Sequence, residues 1–65
     1  MADYRFSLLH ELDQVGRMEY RAFGDDAEAL RHARELVADW DKVTVYEGPR
    51  IVGLVVHPRN QIRIG

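Results

Sequence analysis

A chain of 65 residues has room for a single domain, residues 1–65, and its lack of cysteine excludes a disulfide framework and a thiolate zinc site. A composition that is 46% hydrophobic and 31% charged, with a net charge of −2, is typical of a folded domain and not of a disordered chain. No apolar run approaches the roughly 20 residues of a membrane helix, and the acidic third residue disfavours a secretory signal, so we expect a soluble, cytoplasmic protein.

The chain begins with two segments that alternate apolar and polar residues with a period of two, which is typical of β-strands. They are "DYRFSLLH" at 3–10 and "RMEYRAF" at 17–23, and the turn-forming residues Asp13 and Gly16 lie between them. We therefore predict an antiparallel hairpin, whose register the long loop leaves open. In the first strand, Tyr4, Phe6 and Leu8 are predicted to share one face of that strand. In the second strand, Met18, Tyr20 and Ala22 are predicted to share one face.

An amphipathic helix is predicted next. Asp25 suits the N-cap position, where a carboxylate accepts hydrogen bonds from free backbone amides, and Glu28 lies three residues later, as in a capping box. Aspartates on either side of Trp40 disfavour continuation at the negative end of the helix dipole, so we expect the helix to end near Trp40. Apolar residues at spacings of three and four predict a stripe that lies on a sheet. The stripe comprises Ala27, Leu30, Ala33, Leu36, Val37 and Trp40, and the solvated side comprises Arg31, His32, Arg34, Glu35 and Asp39.

Two further strands are predicted after the helix, "KVTVYEG" at 42–48 and "RIVGLVV" at 50–56, joined by a turn at Gly48 and Pro49. The last strand is apolar on both of its predicted faces, which indicates cover on both sides. Residues 57–65 are predicted to form a frayed tail. In the first of these strands, Val43 and Val45 are predicted on one face and Thr44 and Tyr46 on the other. In the second, Ile51 and Val55 are predicted on one face and Val52, Leu54 and Val56 on the other.

The predicted order is β-β-α-β-β, a two-layer α+β domain in which one helix covers one face of a four-stranded antiparallel sheet. The other face is left apolar, and small domains often depend on a partner subunit. We therefore predict a protein-interaction module that forms a homodimer through the open sheet face or through edge strands, with a monomer as the alternative. The candidate interaction residues are Tyr4, Phe6, Tyr20, Tyr46, Val52, Leu54 and Val56.

A nucleic-acid-binding module is the competing interpretation. Strand aromatics with Arg5 and Arg21 are similar in composition to the stacking platforms of single-stranded RNA binders. The C-terminal quarter also contains Arg50, Arg59 and Arg63 and no acid, whereas all 11 acidic residues fall within positions 1–49. Three arginines are too few for a dense basic stripe, so the sequence disfavours this partner.

Catalytic and metal-binding patterns are absent from the sequence, so we predict no enzyme, no cofactor and no metal. His10, His32 and His57 are not spaced as a metal pair, and the spacing of His32 from Glu28 predicts a surface contact. The acids beside Trp40 are interpreted as a solvated helix end, with Trp40 anchoring the core. Ser7 is the only serine and has no triad partners at recognisable spacing, and the dispersed glycines form no phosphate-binding loop.

Three stretches carry a family resemblance: "MADYR" at the start, "DDAEAL" at the helix opening followed by Ala33, Leu36 and Val37, and the closing hairpin "VTVYEGPRIVGLV". Over most of positions 1–56 the chain resembles a group of small uncharacterised bacterial proteins of β-β-α-β-β type. This resemblance implies a domain of unknown function and no catalytic residues.

The helix opening "GDDAEALRHAREL" after two strands also resembles the HicB-type antitoxin domain, over positions 4–38. That resemblance implies a protein that binds and occludes a small toxin partner. The sequence departs from the HicB-type pattern in two respects. Those domains usually place a third strand before the helix, and many add a DNA-binding segment after it.

Overall fold

The structure, a computed structural model, describes residues 1–10 and 15–58. The predicted turn at Asp13 and the predicted tail beyond Pro58 lie outside these residues. Within them, no helix is long and apolar enough to cross a lipid bilayer. The elements in chain order are β1 (Ala2–His10), β2 (Val15–Phe23), α1 (Asp26–Leu36), β3 (Lys42–Glu47) and β4 (Arg50–Val56).

The four strands form one antiparallel sheet in the order β2-β1-β3-β4, covered on one face by α1. The predicted α+β class and element order are confirmed. The two hairpins join through β1 and β3, which occupy the centre, while β2 and β4 are the edges. Arg5 lies opposite Tyr20 on one side and opposite Tyr46 on the other. This register sets which side chains meet on each face.

The helix begins as predicted. Asp25 is extended, and its carboxylate accepts a 2.9 Å hydrogen bond from the backbone amide of Glu28, which satisfies one of the free amides of the first turn. The predicted end near Trp40 is wrong, because regular α-helix stops at Leu36. The chain continues to Trp40 through tighter i to i−3 bonds, such as the 3.2 Å bond from the Trp40 amide to the Val37 carbonyl. The next amide, that of Asp41, bonds the Leu9 carbonyl at 2.9 Å and directs the chain into β3.

The core lies between α1 and the two central strands. Small helix residues such as Ala29, which is fully buried, allow the helix to approach the sheet closely. The predicted apolar stripe needs one correction here, because it included Ala27, which is exposed, in place of Ala29. Gly53 on β4 serves the same purpose, since a Cβ there would lie 2.8 Å from the Cδ2 of Leu30. The buried apolar residues are Tyr4, Phe6, Leu8, Ala29, Ala33, Val37, Val43 and Val45.

The predicted faces of the last strand are wrong, because β4 carries a bulge. Ile51 does not share a face with Val55, and Val52 does not share a face with Leu54 and Val56. Val45 pairs with Gly53 and Tyr46 pairs with Ile51, so Val52 is an extra residue in the ladder. Beyond the bulge the alternation changes face. Val52 packs with the helix-side core, as does Val55, whereas Ile51 pairs across from Tyr46 on the opposite face.

A polar network joins the start of α1 to the second hairpin. The Tyr4 hydroxyl donates to Asp26 Oδ1 at 2.8 Å, and the Arg50 guanidinium donates to both Asp26 oxygens at 3.0 Å. Arg50 also pairs with Glu47. The hydrogen bond to Asp26, with burial, raises the pKa of Tyr4 to about 12, and the hydrogen bonds from Arg50 and then Tyr4 lower the pKa of Asp26. The network secures the hairpin to the helix.

Candidate functional site: the open sheet face

The candidate site is the face of the sheet that points away from α1, which we call the open face. Because residues directly opposite each other in a ladder share a face, the pairing defines its rows. Its first row is Tyr20, Arg5, Tyr46 and Ile51, and its second row is Met18, Ser7, Thr44 and Leu54.

The structure divides the predicted interaction residues between the two faces. Tyr4 and Phe6 are 2% and 0% exposed beneath the helix, so they lie on the covered face and not on an accessible surface. Val52 also packs against the helix-side core. The physical reason is that one face of each strand must supply the core, and the first hairpin supplies its Tyr-Phe-Leu side. The remaining predicted residues lie on the open face: Tyr20, Tyr46, Leu54 and Val56.

Large apolar side chains remain exposed at the two edges of the open face. On β2, Tyr20 is 69% and Met18 is 50% exposed, and on β4, Ile51 is 65% and Leu54 is 56% exposed. Apart from Met1, these are all the exposed large hydrophobic residues in the part of the chain that the structure describes. Their confinement to one face distinguishes them from apolar residues scattered singly over a surface. The predicted cover on both sides of β4 is therefore absent in a single chain.

Arg5 occupies the centre of this face. Its guanidinium carbon lies 4.4 Å from the ring centroid of Tyr46, in cation–π geometry. Its Nε atom is buried and has no hydrogen-bond partner. Among residues 1–10 and 15–58, no carboxylate forms an ion pair with Arg5. A buried donor without an acceptor is uncommon in folded proteins and is costly.

A shallow depression of about 220 Å³ lies beside Arg5 and is lined by Asp3, Arg5, Tyr20, Gly48 and Tyr4. Gly48 has a φ of 56°, the left-handed conformation that the tight β3–β4 turn requires. Its missing side chain also leaves that side of the depression open. The depression therefore has a cation on one side, an exposed acid on another, and an aromatic rim.

His32 is not the surface residue that its spacing from Glu28 predicted. Its side chain is only 15% exposed and lies 3.0 Å from Glu19 Oε1. Its ring packs 5.2 Å from Phe6 and 5.3 Å from Phe23 between ring centroids. The pairing of β1 with β2 places Glu19 opposite Phe6 on the helix side, which the helix pattern alone could not show. His32 thus connects α1 to the β2 edge.

The predicted solvated helix end is also wrong in part. Asp41 is 6% exposed, and its carbonyl accepts a 2.9 Å bond from the His57 amide. His10 stacks on Trp40 with ring centroids 4.2 Å apart, and Trp40 is half-buried against the core. His10 and His57 therefore lie at the same end of the sheet. Within the described ranges, no group of three or more histidine or acidic side chains is arranged to hold a metal ion.

A second cavity of about 510 Å³ lies between the end of α1 and the end of β4. Its lining is mostly apolar, with Val37 on the helix and Val55 on the strand, and it also includes Arg34 and His57. It lies on the helix side of the sheet and shares no residue with the depression beside Arg5.

The fold and the open face define a class of protein: a two-layer α+β domain with an uncovered sheet face that carries exposed apolar side chains on its edge strands. No protein-family model matches the chain, no curated protein matches it, and no solved structure matches it.

Proposed function

We propose that the protein is a non-catalytic interaction module of the cytoplasm that forms a homodimer through the open face. The observation that carries this proposal is that four large apolar side chains on the two edge strands, each half or more exposed, all lie on a single face. A sheet with one face covered by a helix and the other face apolar gains stability when a second layer covers it. A second copy of the chain supplies such a layer.

The dimensions of the sheet limit how strong this homodimer is. Four strands spaced about 4.8 Å apart, with seven residues rising about 3.3 Å each, give a projected area of roughly 450 Å². Two copies therefore bury roughly 900 Å², which is at the small end of specific interfaces. We expect a reversible dimer with a dissociation constant in the micromolar range, and a monomer on dilution.

Face-to-face packing is favoured over pairing of edge strands. The exposed side chains Tyr20 and Ile51 lie on the face, and pairing through the outer edge of β2 or β4 would leave them in water. Two sheets that pack face to face at about 10 Å bury such side chains from both copies. A two-fold dimer also uses the same surface in each copy, as closed homodimers require.

The test is analytical ultracentrifugation of the unmodified chain and of two matched variants over a range of concentrations. Ile51→Lys places a charge on the open face, and Ala27→Lys places the same charge on the exposed side of α1. We expect the unmodified chain and Ala27→Lys to dimerise with the same dissociation constant. Ile51→Lys should remain monomeric at concentrations about tenfold above those at which the unmodified chain dimerises. A chain that stays monomeric at about millimolar concentration contradicts the proposal.

A nucleic-acid-binding function is the second candidate, and one observation favours it. Tyr20, Arg5 and Tyr46 lie side by side on the open face, an arrangement on which unstacked bases can pack. Against it, the Arg50 guanidinium is already held by Asp26 and Glu47. The other two arginines of this interpretation, Arg59 and Arg63, lie outside the described residues. Gel-shift titration with a short single strand tests it, because binding must appear at low salt and weaken steeply as salt rises.

The resemblance to HicB-type antitoxins remains a prediction about the kind of partner. If a toxin-like protein is the physiological partner, the open face is where we expect it to compete with the second copy. Mixing the chain with such a partner would then convert homodimer into heterodimer.

A further inference from the structure

We propose that Arg5 is a carboxylate-binding centre of the open face and that its acid is Asp3 of a second copy. This inference rests on the proposed homodimer and specifies how the two copies are oriented. The two residues, Asp3 and Arg5, carry opposite charges and lie on β1 of each copy.

The first argument is the unsatisfied state of Arg5 in a single chain. Its guanidinium is held over Tyr46 at 4.4 Å, and no carboxylate of the described residues pairs with it. Its Nε atom is already buried within the chain without an acceptor, so a carboxylate of a second copy must bind the two terminal nitrogens. A guanidinium fixed on an aromatic ring keeps its planar set of donors in one orientation, which suits two-point binding of a carboxylate. Covering this face with a purely apolar layer would bury an unpaired cation, and such burial is strongly unfavourable. The covering layer must therefore provide an acid.

The second argument is that one acid is available on this face. Glu19 and Asp26 are on the helix side and are engaged by His32 and by Arg50, respectively, and Glu47 also pairs with Arg50. Asp3 is exposed and lies on the open face, two residues before Arg5 on the same strand. Among the strand residues that the structure describes, it is the only acid on that face.

The third argument is geometric. Consider a two-fold axis that lies between the facing sheets, runs across the strands and crosses β1 at Tyr4. It brings Asp3 of each copy over Arg5 of the other, since the two residues are equally distant from Tyr4 along the strand. A closed two-fold contact pairs residues reciprocally, so both arginines acquire an acid.

The same axis places large side chains over small ones. Tyr20 then faces Ala22 of the second copy, and Tyr46 faces the Gly48 turn. The depression of about 220 Å³ beside Asp3 and Arg5 provides room for a side chain of the second copy. Charge and size are thus complementary in one orientation.

The experiment reverses the charge at each of the two positions separately and then exchanges the two charges in a double variant. Arg5→Asp and Asp3→Arg are made singly and together, and Arg31→Asp on the exposed side of α1 is the matched control for charge. Circular dichroism first shows that each variant is folded, and sedimentation then gives its dimer dissociation constant. We expect each single reversal to weaken the dimer at least about tenfold and the double exchange to restore it to within about threefold. We also expect Arg31→Asp to have little effect.

Two further measurements keep the inference refutable if a reversal disturbs folding. An equimolar mixture of Arg5→Asp and Asp3→Arg chains should form a heterodimer, because each chain then supplies what the other lacks. Arg5→Leu, which keeps bulk and removes charge, should weaken the dimer. Tighter dimerisation of Arg5→Leu, or a double exchange no better than the single variants, would overturn the pairing and leave the homodimer intact. A monomeric unmodified chain would instead overturn the homodimer itself.

Discussion

Truncation of Phe6 tests how the two faces of the sheet differ. Phe6 is 0% exposed, and its ring packs edge-on against Phe23 and His32, with centroids 5.9 and 5.2 Å away. Removing a buried phenylalanine side chain costs about 3 to 5 kcal/mol, because both burial and packing are lost. Domains of this length have a total stability of roughly 3 to 10 kcal/mol. Phe6→Ala should therefore remove at least about a third of the stability of the chain, and all of it when that stability is at the lower end of this range.

Urea unfolding followed by circular dichroism measures this effect, with Phe6→Leu as a variant that retains most of the bulk. We expect Phe6→Leu to remain folded and to lose about 1 to 1.5 kcal/mol. The matched control is Tyr20→Ala, an aromatic truncation at a 69% exposed position on the open face of the neighbouring strand. At concentrations where the chain is monomeric, Tyr20→Ala should change the free energy of unfolding by less than about 1 kcal/mol. Equal losses for Phe6→Ala and Tyr20→Ala would refute the assignment of the two faces.

Three further predictions follow from the helix cap, the glycine contact and the Tyr4 network. Asp25→Ala removes the acceptor of the Glu28 amide and should cost about 1 kcal/mol in urea unfolding, whereas an unchanged midpoint would show that the cap does not contribute. Leu30→Ala should cost less in a Gly53→Ala background than alone, because Gly53 and Leu30 compete for the same space, and strictly additive losses would contradict that contact. Because the pKa of Tyr4 is raised to about 12 in the folded state, its stabilising effect is present below pH 10 and is lost between about pH 10 and 12. For Asp26 the pKa is lowered, so its contribution is present above its ordinary range and is lost in acid. Ultraviolet titration should show a tyrosine that ionises near pH 12 and is absent in Tyr4→Phe, and the same titration curve in both chains would contradict the network.

Local pattern was sufficient for much of the fold. Alternation assigned the two faces of β1 correctly because a period of two repeats without interruption from Tyr4 to Leu8. The cap at Asp25 was predictable because its partner is only three residues away. The predicted faces of β4 are wrong because a bulge at Val52 adds one residue, which reverses the alternation. The local signal of that insertion is the neighbouring Gly53, since a glycine inside a strand pattern often marks a bulge.

The candidate site depended on contacts between distant parts of the chain. Arg5 becomes the centre of the open face only when β1 pairs with both β2 and β3, and that strand order is not encoded in any single segment. For the same reason the sequence could not choose which face of the first hairpin the helix covers, so Tyr4 and Phe6 were placed among interaction residues. His32 was misplaced because its partner Glu19 is on another element.

Nuclear magnetic resonance on dilution tests the proposed homodimer most directly, because it shows which residues enter or leave a contact. On dilution from about millimolar to low micromolar concentration, we predict progressive shifts of the amide signals of Arg5, Tyr20, Tyr46 and Ile51. The signals of the exposed side of α1, such as those of Ala27 and Arg31, should stay in place. Spectra that do not change with concentration, or changes confined to α1, would contradict self-association through the open face.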